Sequence, residues 1–139
     1  MLIFHHQLEA SIQFVKDLSN VKIVLDHLGK PDIAHSEYDH WSKHIFELSK
    51  YDHVYCKISG MVTEASKSDI QYERFVPYME HALNCFGTER LMLGSDWPVC
   101  LLAANYHDTV SITNRYIAQL SHSEQEHITG KTAAQFYNL

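Results

Sequence analysis

Polar residues with chemically useful side chains follow a series of short apolar runs along this chain. Run by run they are His5 and His6 after LIF, Asp26 and His27 after IVL, Lys57 and Ser59 in VYCKIS, and Asp96 at the end of LMLGSD. Where parallel strands end at one shared edge, a buried segment can deliver such a side chain to a substrate. A carboxylate there can accept a proton, and an imidazole or ammonium group can stabilise developing negative charge.

Each of these residues, taken alone, has a simpler interpretation. An Asp or His just after a strand also serves as a helix N-cap or a turn residue. The adjacent pair His5 and His6 could be solvated, and Lys57 could be an edge residue whose stem lies along apolar surface. Recurrence after four successive runs favours a shared site.

Two further residues are candidates for binding a substrate. Glu64 lies in GMVTEA, a loop that could form a lid or be solvated. Trp97 follows Asp96 directly and precedes Pro98, so it could pack under a loop as a structural stop. An aromatic ring beside a catalytic carboxylate also makes a natural pocket wall.

The elements that would position these residues alternate along the chain. The short apolar runs predict strands at residues 2–4, 21–25, 54–58 and 90–93, apolar on both faces as buried parallel strands are. Apolar stripes at helical spacing lie between them: Leu8, Ile12, Val15 and Leu18; Trp41, Ile45, Phe46 and Leu48; Phe75, Val76, Met79, Leu83 and Phe86. Gly87 stands where the third helix should end, and residues 103–137 form a helical tail. The order βαβαβαβα requires crossovers onto a parallel sheet.

Two architectures fit this order, an open doubly wound sheet and part of a (β/α)8 barrel. The open sheet would normally carry a glycine-rich phosphate loop after an early strand, and no GxGxxG or GxxxxGK[ST] motif is present. Polar side chains at the ends of successive strands are typical of the barrel. The sequence therefore predicts α/β architecture of the barrel type, in a single domain over residues 1–139.

Composition narrows the partners and the compartment. The net charge of −6 without a basic cluster argues against nucleic acid. Three cysteines without CxxC spacing argue against a disulfide framework or a cysteine-rich zinc site, which fits a reducing cytosol. The start MLIFHHQLEA has no basic segment before a long apolar one, and no run approaches the roughly 20 apolar residues of a membrane span. We therefore expect a cytoplasmic protein without a membrane anchor.

Four segments together resemble one enzyme family. LDHLGKPDI (25–33), KISGMVTEA (57–65), FGTERLMLGSDWPV (86–99) and GKTAAQFYNL (130–139) are similar to the amidohydrolase-related, metal-dependent TIM-barrel hydrolases. Within that family they most resemble the sugar-lactone hydrolase branch that contains L-fuconolactonase and L-rhamnonolactonase. The resemblance implies that the four predicted strands are strands five to eight, so that the chain is the C-terminal half of a barrel that needs roughly 250 residues.

The resemblance also implies roles for individual residues. Asp96 matches the eighth-strand aspartate, which binds a metal or takes a proton from the attacking water. His27 matches the sixth-strand histidine, placed to polarise a carbonyl, and His27 or Lys57 could hold the oxyanion. His5 could match a fifth-strand metal ligand. A divalent ion, zinc or manganese, would lower the pKa of water to about 7, although some relatives work without metal.

Three functions remain open at this stage. The first is hydrolysis of a small-molecule sugar lactone by the intact barrel, with this chain by itself inactive. The second is metal-dependent decarboxylation at the same site, which a metal-ligating His5 would favour. The third is a catalytically inactive half-barrel that binds or assembles, because open sheet edges must pair or be covered. We accordingly expect either self-association or a separate N-terminal half.

Overall fold

Three short parallel strands form the sheet of this protein. The computed structural model describes all 139 residues, and its strands are β1 (Ile23–Leu25), β2 (Val54–Ile58) and β3 (Leu91–Leu93), in the order β1-β2-β3. Ile23 pairs with Val54 at one edge of β2, and Cys56 pairs with Leu91 at the other. Since all three strands run the same way, their carboxyl ends share one rim.

Three amphipathic helices, one before each strand, cover one face of the sheet. They are α1 (Leu8–Asp17), α2 (Tyr38–Ser49) and α3 (Tyr72–Phe86). Val54, Cys56 and Ile58 of β2 are fully buried in one core with apolar side chains of these helices. Burying each such side chain stabilises the fold by roughly 1.5–3 kcal/mol. The helical stripes are thus confirmed, except that Phe46 is 51 % exposed.

The residues between these core positions point the other way. Side chains alternate across a strand, so Tyr55, Lys57 and the following Ser59 lie on the face of β2 opposite α2 and α3. We call this the inner face. This face matters because Lys57, the charged candidate residue on β2, lies on it.

The predicted first strand at residues 2–4 is wrong. Only Met1 pairs with the sheet: its amino group donates to the carbonyl oxygen of Val24 at 2.6 Å, and its own carbonyl accepts from Asp26 N at 2.9 Å. The chain then enters a 3₁₀ turn, His5–Gln7, leaving Leu2 63 % exposed. A turn that begins so soon leaves no length for a ladder, and the sheet has three strands rather than four.

The C-terminal tail is helical as predicted, but in several pieces. It comprises α4 (Tyr106–Ile117), α5 (His122–Glu126), a π-helical segment (His127–Lys131) and α6 (Thr132–Tyr137). The end of α6 reaches the inner face, where the Phe136 ring packs against Tyr55 with centroids 4.9 Å apart. No helix of this protein has the length and apolar character needed to cross a membrane.

Candidate active site

His27 leaves the end of β1 in an unusual backbone conformation. After Leu25 the chain turns sharply through Asp26–Gly29, and both His27 and Leu28 have φ of +55°. Non-glycine residues rarely adopt this left-handed region, and where they do the surrounding structure must hold them. The turn directs the His27 side chain, 19 % exposed, toward the ends of β2 and β3.

Asp96 reaches the same place from β3. It too has a left-handed backbone, with φ of +58°, and its side chain is only 7 % exposed. The Asp96 Oδ1 atom lies 3.5 Å from His27 Nε2, whereas Oδ2 is buried and has no hydrogen-bond partner. An unpartnered buried carboxylate oxygen is costly for stability, so this atom is where a ligand or water would be accepted.

Ser59 completes the group from β2. Its hydroxyl oxygen lies 2.8 Å from His27 Nδ1, and the residue is 3 % exposed. Sequence reasoning noted that Ser59 closes its strand but gave it no role. The available signal was its place two residues after Lys57, on the same face of an alternating strand.

Lys57 lies on the inner face next to Asp26, with Lys57 Nζ 2.7 Å from Asp26 Oδ1. Burial lowers the Lys57 pKa, but hydrogen bonds to Asp26 and Tyr137 outweigh it and leave the pKa above its ordinary value. Lys57 is therefore a stably charged group that already has a carboxylate partner. Its predicted catalytic role stays a prediction.

The two predicted substrate-binding residues have different surroundings. Glu64 forms an ion pair with Lys30 and accepts from Thr63 Oγ1 at 3.1 Å. Its backbone carbonyl accepts from Ala34 N, so Glu64 ties the loop after β2 to the loop after β1. Trp97, by contrast, is 63 % exposed. Both remain predictions as substrate contacts.

His5 does not join Asp96. Its Nδ1 atom lies 3.2 Å from the Lys30 carbonyl oxygen, and its ring stacks edge-on against His6. Nowhere do three His, Cys, Asp or Glu side chains come close enough to hold a metal. Asp96 and His27 could supply two ligands, short of the three protein ligands usual for catalytic zinc, so the residues present do not by themselves fit the ion.

A pocket on the surface lies apart from these residues. Its volume is about 470 Å³, and its lining combines the loops after β2 and β3 with the start of α4: Ile70, Ala103, Ala104, Asn105, Asp108, Ser111 and Ile112. Neither Asp96 nor His27 lines it. They lie instead at the carboxyl rim on the inner face, where the side chains of Asp96 and His27 are 7 % and 19 % exposed.

Helices packed on a parallel sheet, with a carboxylate and an imidazole meeting at its carboxyl rim, are typical of the active-site end of (β/α)8-barrel enzymes. The family model described as Amidohydrolase matches residues 1–139, and the chain belongs to that family.

Individual relatives agree with this assignment. The chain is 39 % identical to an L-fucono-1,5-lactonase of Burkholderia multivorans over 100 % of its own length and 50 % of the relative. It is 36 % identical to a 4-sulfomuconolactone hydrolase of Rhizobium radiobacter over 55 % of the chain and 25 % of that relative. It therefore spans half the length, or less, of these curated relatives.

Solved structures match in the same way. A crystal structure of an amidohydrolase from Burkholderia multivorans with bound zinc superposes with a TM-score of 0.92 at 39 % identity, covering 100 % of this chain and 51 % of that one. A 2,6-dihydroxybenzoate decarboxylase from Rhizobium, at 13 % identity and a TM-score of 0.51, covers 89 % of this chain and 36 % of that one, and shows the fold alone.

Proposed function

We propose that this chain supplies the proton-accepting part of a lactone hydrolase, in which water attacks the carbonyl carbon of a sugar lactone. The observation that carries the proposal is the buried Asp96 Oδ2, which has no partner and lies beside His27. The L-fucono-1,5-lactonases among the relatives support the sugar-lactone substrate class.

The geometry suggests how the two side chains divide the work. Asp96 Oδ2 accepts a proton from the attacking water, because it is a carboxylate oxygen left without a hydrogen-bond partner. His27 Nε2 donates a hydrogen bond to the lactone carbonyl oxygen as it becomes anionic. Ring opening then moves the proton to the leaving alkoxide oxygen, giving the hydroxy acid.

Lys57 has a lesser part in this proposal than the sequence implied. Its ammonium group is bound by Asp26 at 2.7 Å, so much of its charge is already offset. We assign it to holding the inner face together and give the oxyanion to His27. Zinc or manganese remains the proposed ion, supported by the zinc in the Burkholderia multivorans structure. Asp96 and His27 would supply at most two of the three protein ligands usual for catalytic zinc.

The decisive experiment joins this chain to the half of the Burkholderia multivorans L-fucono-1,5-lactonase that it does not match. The fusion protein, the chain alone and the full relative are assayed with a pH indicator on five- and six-carbon aldonolactones. We expect turnover by the fusion and little by the chain alone, since half of the substrate-positioning mouth is missing. A folded fusion that opens no lactone would overturn the proposal.

Exposed apolar side chains also support a proposal about assembly. Leu2, Phe4, Leu102 and Leu139 are all at least 49 % exposed, and monomers rarely leave large apolar patches uncovered. We expect the isolated chain to self-associate. Sedimentation velocity tests this, and a monodisperse monomer at high concentration would contradict it.

A further inference from the structure

The side chain of Ser59 has one hydrogen-bond partner, His27. The Ser59 Oγ atom lies 2.8 Å from His27 Nδ1, and no other side chain or backbone group bonds to it. Because Ser59 is 3 % exposed, solvent does not compete for this hydroxyl. The contact joins residues 32 positions apart, so it exists only because β1 and β2 are paired in register.

Two glycines make room for this contact. A Cβ atom at position 60 would lie 2.7 Å from the Cβ and Cγ atoms of His27, and Gly60 also has a φ of +65°. A Cβ atom at position 94 would lie 3.1 Å from the Ser59 Cβ atom. Gly60 therefore shapes the space for the imidazole, and Gly94 shapes the space for the serine that bonds it.

The partner on each side of the imidazole determines where its ring proton lies. His27 Nε2 faces the Asp96 carboxylate at 3.5 Å, and a carboxylate only accepts hydrogen bonds when ionised. Nε2 is therefore favoured to carry the proton, and Nδ1 is left with a lone pair. A serine hydroxyl can donate to that lone pair.

We propose that Ser59 is a positioning residue for the lactone hydrolase described above: its hydroxyl donates to His27 Nδ1 and holds the neutral ring as the Nε2–H tautomer. This inference rests on the proposed function for its purpose, though not for its geometry. With the ring so held, the Nε2–H, which faces Asp96 Oδ1 at a long 3.5 Å in the absence of substrate, is the donor that the lactone carbonyl oxygen takes over, and Asp96 Oδ2 stays free to accept the proton from water. Ser59 itself touches no reacting atom.

The direct test reads the tautomer of His27 in the 139-residue chain. Long-range ¹H–¹⁵N correlation spectra are recorded at a pH about 2 units above the ordinary histidine pKa of about 6.5, and a His27→Gln variant assigns the signal. We expect the Nε2–H pattern in the unaltered chain. A predominant Nδ1–H pattern would overturn the proposal before any serine is changed.

Variants then test the serine itself. Ser59→Ala should shift the tautomer ratio of His27 by about 5-fold, the effect of one lost hydrogen bond of ordinary strength. Ser59→Thr keeps the hydroxyl and should restore the ratio. Ser11→Ala is the matched control, because Ser11 is also buried and donates to the Leu8 carbonyl oxygen, not to His27. An unchanged ratio in Ser59→Ala would refute the role.

Kinetics in the fusion protein separate this inference from the proposed function. Ser59→Ala should lower kcat by about 10-fold, as loss of such supporting bonds does, while KM changes little. An inactive fusion with the expected tautomer would refute the lactonase proposal and leave the serine's role intact. An active fusion whose kcat is unchanged by Ser59→Ala would refute the role of Ser59 and leave the lactonase proposal intact.

Discussion

Two polar pairs lie side by side on the inner face, and they differ in how completely their hydrogen bonds are satisfied. Lys57 and Asp26 meet at 2.7 Å with charges that offset each other. His27 and Asp96 meet at 3.5 Å, and Asp96 keeps one buried oxygen unpartnered. The first pair has the character of a structural contact. In the second pair, the unpartnered Asp96 oxygen can still accept a proton, as a general base must.

Backbone conformation separates the two pairs in the same way. Lys57 lies in a regular strand, whereas His27 and Asp96 both have positive φ. Such conformations each cost of order 1–3 kcal/mol and tend to occur at functional sites. Strain and an unsatisfied polar atom thus coincide at one pair and are absent from Lys57.

The largest effect should come from exchanging one carboxylate for its amide in each pair. Asp96→Asn in the fusion protein should lower lactone turnover by about 10²–10⁴-fold, because Asn keeps the shape but cannot accept the proton. Its melting temperature should not fall, since the change removes a buried charge that has one oxygen without a partner. Asp26→Asn is the matched variant and should cost less than about 10-fold in turnover. Equal losses in both variants would erase the distinction between the pairs.

The next largest effect tests the space that Gly60 leaves for the His27 side chain. Gly60→Ala combines a left-handed backbone with a 2.7 Å clash against His27 and should lower the free energy of unfolding by about 2–3 kcal/mol. Gly87→Ala has nearly the same φ, +63°, with ψ of 174°, but nothing lies within 4 Å of its Cβ position, so it lacks the clash and should cost at least about 1 kcal/mol less than Gly60→Ala. Urea denaturation of both variants measures the difference. Similar losses would mean that the imidazole is not held by this contact.

A smaller effect concerns the ion pair between the two rim loops. Lys30 and Glu64 have side chains only 15 % and 16 % exposed, which is more buried than Lys57 and Asp26. A double-mutant cycle with Lys30→Met and Glu64→Gln should give a coupling energy of about 1 kcal/mol. The same cycle on the exposed pair Lys50 and Glu47 is the control, with about 0.3 kcal/mol expected. Equal coupling energies in the two cycles would show that the Lys30–Glu64 ion pair does not hold the two loops together.

The smallest effect is a pH dependence from the paired lysine. The pKa of Lys57 is raised above 10.5 in the folded protein, so its contribution to stability is complete below about that pH and is lost as pH rises through the folded value. In Lys57→Met the free energy of unfolding should therefore decrease less with rising alkaline pH than in the unaltered chain, by a difference of less than about 1 kcal/mol. Lys50→Met, at a half-exposed position, should leave that fall unchanged. A Lys57→Met variant with the full alkaline slope would contradict the assignment.

Local sequence was sufficient for most of the elements. Apolar runs located β1, β2 and β3 to within two residues, and spacing of three and four located α1, α2 and α3. These predictions succeed because each depends on neighbours in the chain and on which face is buried. The same reasoning failed at residues 2–4, since three apolar residues form a strand only if enough partner backbone lies beside them.

The candidate site, too, was predictable from the sequence only in part. Residue types and their places after successive runs indicated Asp96, His27 and Lys57 from the sequence alone, because strand ends of a parallel sheet share one rim. Only the tertiary structure determined that His27 contacts Asp96 and Ser59. It also determined that His5 lies against the Lys30 carbonyl and that Lys57 pairs with Asp26. Those outcomes depend on strand register, on left-handed turns and on space left by Gly60. They are properties of residues far apart in the chain, which no local pattern encodes.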